Sequence, residues 1–254
     1  MDYSSRAPLQ QGNSLMPPQT IDRARPKSVD KRSLLRAHPF FKGLDEAAID
    51  WLVHRSISRN LKKGTVLFRG GDSGTKLYAV CAGAMRISCT SEQGSDVILN
   101  LIVPGDIFGE IAVLDRGPRT ADAVAAEDSE LMEIDRQDFV QLLRDHPDVS
   151  MRLIEILCSR LRRTSEQVED IIFLGLPHRL AKVLLHLHGR SLPGEAPKIR
   201  ITQHEISQMI GASRESTNKQ LRDWERRKWL RLERNCIVVR APEALKSFVS
   251  TALD

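Results

Sequence analysis

The spacing of hydrophobic positions changes along the chain. Leu44, Ala48 and Leu52 recur at helical spacing, so residues 33–60 are predicted to be helical. From 61 to 134 the chain breaks into short apolar segments such as TVLFRG, KLYAVCAG, AMRISCT, DVILNLIV and SELMEID, divided by glycine, aspartate and serine. Evenly spaced short strands with turn residues between them indicate a β-barrel or a β-sandwich.

A long helix is predicted over residues 148–173, which contain neither glycine nor proline. Its apolar positions alternate at spacings of three and four, the a/d pattern of a two-helix seam. The seam positions are Ile154, Leu157, Leu161, Thr164, Val168 and Ile171. This pattern fits either a dimer or packing against the chain's own β-domain. Thr164 is its polar exception, which indicates a role in setting the register or in contacting something bound beside the seam.

The pattern changes again after the long helix. Gly175 and Pro177 end the helix and indicate a hinge. The segment HRLAKVLLHLHGR is predicted to be a helix, SLPGEAPK a loop and KIRIT a strand. In WLRLERNCIVVR, apolar runs flank Arg234 and Asn235, which predicts a hairpin that would form a small wing.

Two short helices with a glycine turn between them are predicted within residues 202–228. Thr202 and Glu205 have the spacing of a capping box, and Ser213 can cap the second helix after Gly211. Helix, turn and helix in this order form a DNA-reading motif. The second helix begins with arginine and glutamate, which can bond to guanine and to cytosine respectively. The alternative is that they are ordinary first-turn charges, glutamate being favoured there by the helix dipole.

Length and composition limit the possible classes of protein. The chain has 254 residues, 41% of them hydrophobic, which suffices for about two compact domains. No apolar run reaches the roughly 18 residues of a membrane helix, and the first twenty residues lack an apolar signal core. We therefore expect a cytoplasmic protein without a membrane partner. Its cysteines are predicted to be reduced and mostly packed thiols: Cys81, Cys89, Cys158 and Cys236.

Charge is unevenly distributed around the modest net value of +5. Residues 34–174 carry 17 basic and 22 acidic side chains, whereas residues 175–240 carry 14 basic and 6 acidic ones. A basic module joined to an acidic one suggests that the basic module binds a polyanion. The charge distribution by itself equally fits a solvated basic face without a partner.

The stretch FGEIAVLDRGPRTADA brings together a Gly109-Glu110 pair and an Arg119-Thr120 pair. An arginine near loop amides can bind one phosphate, and a carboxylate can accept a hydrogen bond from a sugar hydroxyl. These chemistries together would bind a nucleotide. A surface ion pair between Arg119 and Glu110 is the alternative, and spacing alone slightly favours it.

This stretch resembles the phosphate-binding cassette of cyclic-nucleotide-binding domains. Residues 33–248 resemble the Crp/Fnr family of bacterial transcription regulators, most closely its cyclic AMP receptor branch. The segments RLRRTSEQV and SRESTNK are similar to the dimer helix and the recognition helix of that branch, in the same order. Several motifs in the family's order make the resemblance specific.

The resemblance implies an α+β fold in three parts. A β-roll that binds a cyclic nucleotide would cover residues 33–146, a dimerisation helix 147–174 and a winged helix-turn-helix 175–248. Residues 1–32, rich in serine, glutamine and proline, are predicted to be a disordered tail.

The resemblance also assigns residues to two sites. In the nucleotide site, Glu110 would hold the ribose 2′-hydroxyl, Arg119 the cyclic phosphate, and Thr164 or Ser165 the purine, one of them from a partner subunit. The implied nucleotide-binding residues are Leu99, Ile102, Gly109, Glu110, Ile111, Ala112, Arg119, Thr120, Arg160, Thr164 and Ser165. The predicted DNA-contacting residues are Thr202, His204, Ser213, Arg214, Glu215, Ser216 and Lys219.

The implied protein is a homodimeric transcription regulator that binds double-stranded DNA at a TGTGA-like palindrome. Its implied effector is cAMP, RNA polymerase is its expected partner, and neither a cofactor nor a metal is expected. The hydroxyl of Thr120 resembles cassettes that accept cGMP, so cGMP is the alternative effector. Lys219 stands where the branch usually has arginine, and lysine donates to guanine without the forked geometry.

Three other classes fit the sequence less well. An iron–sulfur or haem sensor is disfavoured because residues 1–80 contain no cysteine and residues 55–145 no histidine. A kinase or channel regulatory subunit would not need the helix-turn-helix. An enzyme would need a nucleophile–base pair, and His204 has no such partner in the sequence.

Overall fold

The computed structural model describes residues 31–90, 96–189 and 198–251. The tail predicted for residues 1–32 lies outside these ranges except for its last two residues, which open the first helix. The predicted loop SLPGEAPK lies outside them except for its final lysine. The described residues form helices and antiparallel sheets, in agreement with the α+β class.

The first helical segment ends earlier than predicted. It consists of α1 (Lys31–Ala37), a 3-10 turn (Pro39–Phe41) and α2 (Glu46–Arg55). Asp45 caps α2, and Ser56 ends it in an extended conformation. The prediction of helix over residues 33–60 is wrong beyond this point, because Ile57–Leu61 pairs as a strand with Ser129–Asp135.

Eight strands form two four-stranded antiparallel sheets, which make up the β-roll. The first sheet contains, in spatial order, β1 (Ile57–Leu61), β8 (Ser129–Asp135), β3 (Lys76–Ala82) and β6 (Ile107–Phe108). The second contains β2 (Val66–Phe68), β7 (Asp122–Ala125), β4 (Met85–Thr90) and β5 (Asp96–Ile102). Five of these strands confirm segments predicted from the sequence, whereas β1, β6 and β7 were not predicted. Buried side chains from both sheets, including Val80, Met85 and Leu131, form an apolar cluster.

Three helices follow or interrupt the strands: α3 (Glu110–Asp115), α4 (Arg136–Asp145) and α5 (Pro147–Phe173). The long helix predicted over residues 148–173 is confirmed. Its N-terminal end packs on its own domain, since Val149 and Leu153 are buried in the β-roll core. Farther along, the seam residues Leu161 and Val168 are 68% and 52% exposed. Packing against the chain's own domain is therefore confirmed for the N-terminal end of the helix, whereas the dimer stays a prediction that the exposed apolar residues of the seam would serve.

The C-terminal part of the chain forms a second apolar core around Leu221 and Trp224. Its elements are α6 (Leu176–Gly189), β9 (Lys198–Ile199), α7 (Gln203–Met209), α8 (Arg214–Arg226), β10 (Leu230–Glu233), β11 (Cys236–Val239) and α9 (Pro242–Ser250). The predicted hairpin is confirmed, with Asn235 at a φ of 55° in its turn. The strand predicted in KIRIT is shorter than the segment, because only its first two residues pair with β11.

The two parts of the molecule touch where α7 packs against β5. Leu101 of β5 joins the apolar cluster of the C-terminal part. A strand of the β-roll therefore contacts the first helix of the helix-turn-helix directly.

The cysteine prediction is partly wrong. All four thiols are free, but Cys89 and Cys158 are exposed and only Cys81 is buried. Burial raises the pKa of the Cys81 thiol to about 11. Over the described ranges, no helix has the length and apolarity needed to cross a membrane, and no three potential metal-ligating side chains cluster together.

Candidate functional site

A cavity of about 260 Å³ lies between the β-roll and α5. Its walls come from β5, from the α3 turn with the loop after it, and from one face of α5. The structure brings together at this cavity ten of the eleven residues predicted to bind the nucleotide: Leu99, Ile102, Gly109, Glu110, Ile111, Ala112, Arg119, Thr120, Arg160 and Thr164. Ser165 does not line it, and its exposed hydroxyl donates to the Leu161 carbonyl on the same helix at 3.1 Å.

Arg119 is buried at one end of this cavity, with 5% of its surface exposed. Its Nη1 donates to the Gly109 carbonyl at 2.9 Å, and its Nη2 donates to the Lys76 carbonyl at 2.8 Å. The guanidinium carbon also lies 4.2 Å from the centre of the Phe68 ring. Within the described residues, the buried Nε has no hydrogen-bond partner. Burial lowers the pKa of Arg119, so an anion at this point would compensate a desolvated positive charge.

Two glycines make room for this arginine. Gly109 adopts a φ of 81°, and a Cβ there would lie 2.6 Å from Nη1 of Arg119. A Cβ at Gly74 would lie 2.6 Å from its Nε. Both approaches are shorter than real carbon contacts, so a side chain at either position would displace the guanidinium. Gly109 was predicted from its place beside Glu110, whereas Gly74, 45 residues before Arg119, carries no local signal.

Glu110 also lines the cavity and is only 2% exposed. Its Oε1 accepts a hydrogen bond from Nη1 of Arg160, whose Nη2 donates to the Ile107 carbonyl. The alternative of a surface ion pair between Glu110 and Arg119 is therefore wrong, since both residues are buried and bond to other groups. The pairing leaves the second oxygen of the Glu110 carboxylate as an acceptor within the cavity wall.

The end of the cavity along α5 is polar. Thr164 lines it and donates its hydroxyl to the Arg160 carbonyl at 3.0 Å. Arg163 and Gln167 line it as well, and Nη1 of Arg163 donates to Oδ1 of Asn100 on β5 at 2.8 Å. Arg163, Thr164 and Gln167 follow Arg160 by three, four and seven positions, so they lie on the same face of the helix. This spacing could have predicted Arg163 and Gln167 from the sequence.

The predicted helix-turn-helix is present in α7 and α8. The capping box is confirmed: the Thr202 hydroxyl accepts from the Glu205 amide at 3.1 Å, and the Thr202 amide donates to Glu205 Oε2 at 2.8 Å. Ser213 caps α8 by accepting from the Ser216 amide at 3.1 Å. The side chains of Thr202, Glu205 and Ser213 thus stabilise the starts of the two helices. Gly211 takes a φ of 61° in the turn between the helices.

The first residues of α8 point away from the C-terminal core. Arg214, Glu215, Ser216 and Lys219 are exposed, whereas Thr217, Leu221 and Trp224 are buried on the opposite face. His204 of α7 is exposed too. The structure therefore places the predicted base-contacting side chains together on one accessible surface.

Comparisons with known proteins identify a family for both the β-roll and the helix-turn-helix part. The family model of the cyclic nucleotide-binding domain matches residues 58–146, and that of the Crp-like helix-turn-helix domain matches residues 178–248. A Mycobacterium tuberculosis protein named CRP-like cAMP-activated global transcriptional regulator is 34% identical over 209 residues, covering 81% of this chain and 93% of that protein. A Thermus thermophilus protein named cyclic AMP receptor protein is 34% identical, covering 74% of this chain and 85% of its own length.

Solved structures share the fold. FixK2 from Bradyrhizobium japonicum superposes with a TM-score of 0.66 at 20% identity, covering 76% of this chain and 96% of that one. The regulator CLP from Xanthomonas campestris superposes with a TM-score of 0.65 at 22% identity, covering 77% and 99% of the respective chains. Domain models, relatives and architecture agree: the chain belongs to the Crp/Fnr family of DNA-binding transcription regulators and is not an enzyme.

Proposed function

We propose that the protein is a homodimeric transcription regulator whose binding to palindromic DNA is switched by a cyclic nucleotide. The observation that carries this proposal is the cavity, which places a buried arginine and a buried glutamate against the helix that bears the exposed seam. The effector is cAMP, by likeness to relatives named as cAMP-activated. The Thr120 hydroxyl makes cGMP the second candidate.

Nucleotide binding follows from the polarity of the cavity. Arg119 pairs with the cyclic phosphate, which takes up its buried positive charge, and the Thr120 hydroxyl and the amides of residues 109–112 add donors. The free oxygen of Glu110 accepts from the ribose 2′-hydroxyl, while Arg160 holds the other oxygen. Leu99 and Ile102 supply apolar surface. The purine lies toward Thr164.

The proposed dimer joins two copies through α5. Exposed apolar side chains at Ile154, Leu161 and Val168 supply the contact surface. Ser165 lies outside its own cavity, so it is available to the nucleotide bound by the other copy. A ligand held between the β-roll and the dimer helix would bind two arrangements of the molecule with different affinity, and would thereby shift their populations.

DNA recognition is assigned to the exposed start of α8. Arg214 and Lys219 donate to guanine, Glu215 accepts from cytosine N4, and Thr202, His204, Ser213 and Ser216 lie toward phosphates. In the dimer, two such helices about 34 Å apart enter successive major grooves of a TGTGA-like palindrome. RNA polymerase is the expected partner on the DNA.

The decisive experiment is calorimetric titration of cAMP and cGMP into the Arg119→Leu variant. We expect binding to be lost, because the substitution removes the only side chain assigned to the phosphate charge. The Arg69→Leu variant is the matched control, since Arg69 is exposed on a neighbouring turn. Wild-type affinity in Arg119→Leu, with an unchanged circular dichroism spectrum, would refute the assignment. An electrophoretic shift on a TGTGA palindrome, with and without each nucleotide, tests the DNA half.

A further inference from the structure

One aromatic side chain of the cavity has no role in the proposed function. Phe68 ends strand β2 and lines the cavity. The pairing of β2 with β7 shifts its register between Val66 and Phe68, and an irregularity of this kind re-aims a side chain. The ring of Phe68 lies against the guanidinium of Arg119, whose central carbon is 4.2 Å from the ring centre.

This contact has the geometry of a cation–π interaction. A guanidinium is attracted to the face of an aromatic ring within roughly 6 Å of its centre, most strongly where water is excluded. Arg119 is only 5% exposed, so its charge is largely desolvated. Phe68 itself packs on Tyr78 and Phe108, whose rings stack on each other with their centres 5.2 Å apart. The ring that contacts Arg119 is therefore held in place by two others.

The segment that follows Phe68 holds the main chain of the same arginine. The Gly71 amide donates to the Arg119 carbonyl at 2.8 Å, and the Arg119 amide donates to the Asp72 carbonyl at 2.8 Å. The end of β2 and the turn after it thus fix both the backbone and the guanidinium of Arg119. This part of the chain lies outside the stretch FGEIAVLDRGPRTADA, from which the phosphate site was predicted.

The neutrality of these partners matters for an anion. A carboxylate bonded to Arg119 would hold the guanidinium but would also compete with a phosphate for its donors. The ring of Phe68 and the two backbone carbonyls hold it without supplying a negative charge. A guanidinium that is already oriented in the free protein loses less conformational entropy when it binds a ligand, and this raises the affinity.

We propose that Phe68 is a positioning residue, whose ring holds the guanidinium of Arg119 in the orientation that binds the phosphate of a cyclic nucleotide. This inference rests on the proposed function, because it needs the phosphate to lie at Arg119. It concerns the phosphate end of the ligand, and so it applies to cAMP and cGMP alike.

The test is calorimetric titration of cAMP and cGMP into the full-length variants Phe68→Leu and Phe68→Tyr. Leucine keeps an apolar side chain but has no ring face, so both affinities should fall by about threefold to thirtyfold, the range of one cation–π contact. Tyrosine keeps the ring face and should restore both affinities to within about twofold of wild type.

Two controls separate positioning from a general change of the cavity. Adenosine lacks the phosphate, so its affinity, measured by competition against cAMP, should be the same in wild type and in both variants. Val66→Ala changes a side chain on the same strand that is 44% exposed and does not line the cavity. Both nucleotides should bind to that variant with wild-type affinity.

The outcomes distinguish this inference from the proposed function. If neither nucleotide binds to the wild-type protein, the proposed function fails and the inference fails with it. If the nucleotides bind but Phe68→Leu keeps wild-type affinity, or Phe68→Tyr is as weak as Phe68→Leu, only the inference is overturned. An equal loss of adenosine affinity would make Phe68 a general part of the cavity wall and would overturn it too. Loss confined to the two nucleotides and recovered by tyrosine supports it.

Discussion

At the scale of single residues, the cavity is distinguished by two buried charged side chains, Arg119 and Glu110. Arg119 is held by two backbone carbonyls and an aromatic ring, so none of its bonds neutralises its charge. Glu110 is neutralised by Arg160, which lies on α5 and is itself partly exposed. The hydrogen bonds of Arg119 therefore reach no carboxylate, whereas Glu110 forms an ion pair with an arginine from the helix that lines the cavity.

Replacing Arg160 with methionine should destabilise the fold, because Glu110 would remain buried without its partner. Removing one partner of a fully buried pair costs about 3–5 kcal/mol. Arg160 is 31% exposed at its side chain, so we expect about 1–3 kcal/mol, measured by urea unfolding. The double variant Arg160→Met/Glu110→Gln should recover most of the loss, and additive losses in the double variant would contradict the pairing.

A buried histidine makes the stability depend on pH. Nδ1 of His38 accepts from the Phe40 amide at 3.1 Å, and the ring packs on Phe41. Burial lowers the pKa of His38, although Asp106 partly opposes this shift. Below pH 6.5 the histidine therefore takes up a proton more readily in the unfolded chain than in the folded one. The free energy of unfolding is highest above pH 6.5, and it decreases as the pH falls below that value.

The variant His38→Asn tests this dependence, since its amide oxygen can accept the same hydrogen bond without titrating. We expect the difference between the two unfolding free energies to change below pH 6.5 by at most about 1.4 kcal/mol per pH unit, the limit for one proton. Denaturant unfolding between pH 5 and 8 measures it. If the free energies of unfolding of wild type and variant change in parallel with pH, other groups cause the loss of stability in acid.

At the scale of elements, different parts of α5 contribute to the core, to the cavity and to the exposed surface. Val149 and Leu153 anchor it in the β-roll core, while the side chains of Arg160, Arg163 and Thr164 form a wall of the cavity. Leu157 of the predicted seam packs against the same core, whereas the other apolar seam residues stay exposed: Ile154, Leu161, Val168 and Ile171. A second copy of the helix would cover these exposed residues and lie close to the cavity.

Disrupting the exposed part of the seam should dissociate the proposed dimer. In Leu161→Asp, a charge replaces a seam side chain that is 68% exposed in the single chain, so the fold of the protomer should survive. Sedimentation equilibrium should show monomers at micromolar concentration. Ser159→Asp places the same charge on an exposed position outside the seam and should leave the association unchanged. A dimer that persists in Leu161→Asp would rule out this helix as its interface.

The elements that the sequence predicted are those with strong local signals. The capping residues Thr202 and Ser213 and the heptad of α5 lie within a few residues of the groups that they organise. Strand β1 was missed because its Ser-Arg-Asn centre has no apolar alternation, and it forms by pairing with β8, about 70 residues later. Contacts between distant segments of the cavity were missed for the same reason, because no local pattern in the sequence marks them. Examples are the contact of Gly74 with Arg119 and that of Asn100 with Arg163.

At the scale of the whole molecule, strand β5 connects the cavity with the helix-turn-helix. Asn100 and Ile102 line the cavity, whereas Leu101 between them packs into the C-terminal cluster. This part of β5 therefore contacts both the cavity and the C-terminal part of the molecule. A displacement of β5 by a ligand would therefore reach the DNA-binding part without passing through the hinge predicted at Gly175.

Removing the Leu101 side chain should loosen the C-terminal part from the β-roll. We expect Leu101→Ser to weaken this contact by about 1–2 kcal/mol, part of the burial energy of a leucine. Faster hydrogen exchange of the α7 amides and a larger radius of gyration in small-angle scattering would show it. The control Val97→Ser changes an exposed apolar residue on the same strand, so exchange in α7 should stay at the wild-type rate. If Leu101→Ser also leaves that rate unchanged, β5 does not hold α7, and α5 with the predicted hinge becomes the expected route between the sites.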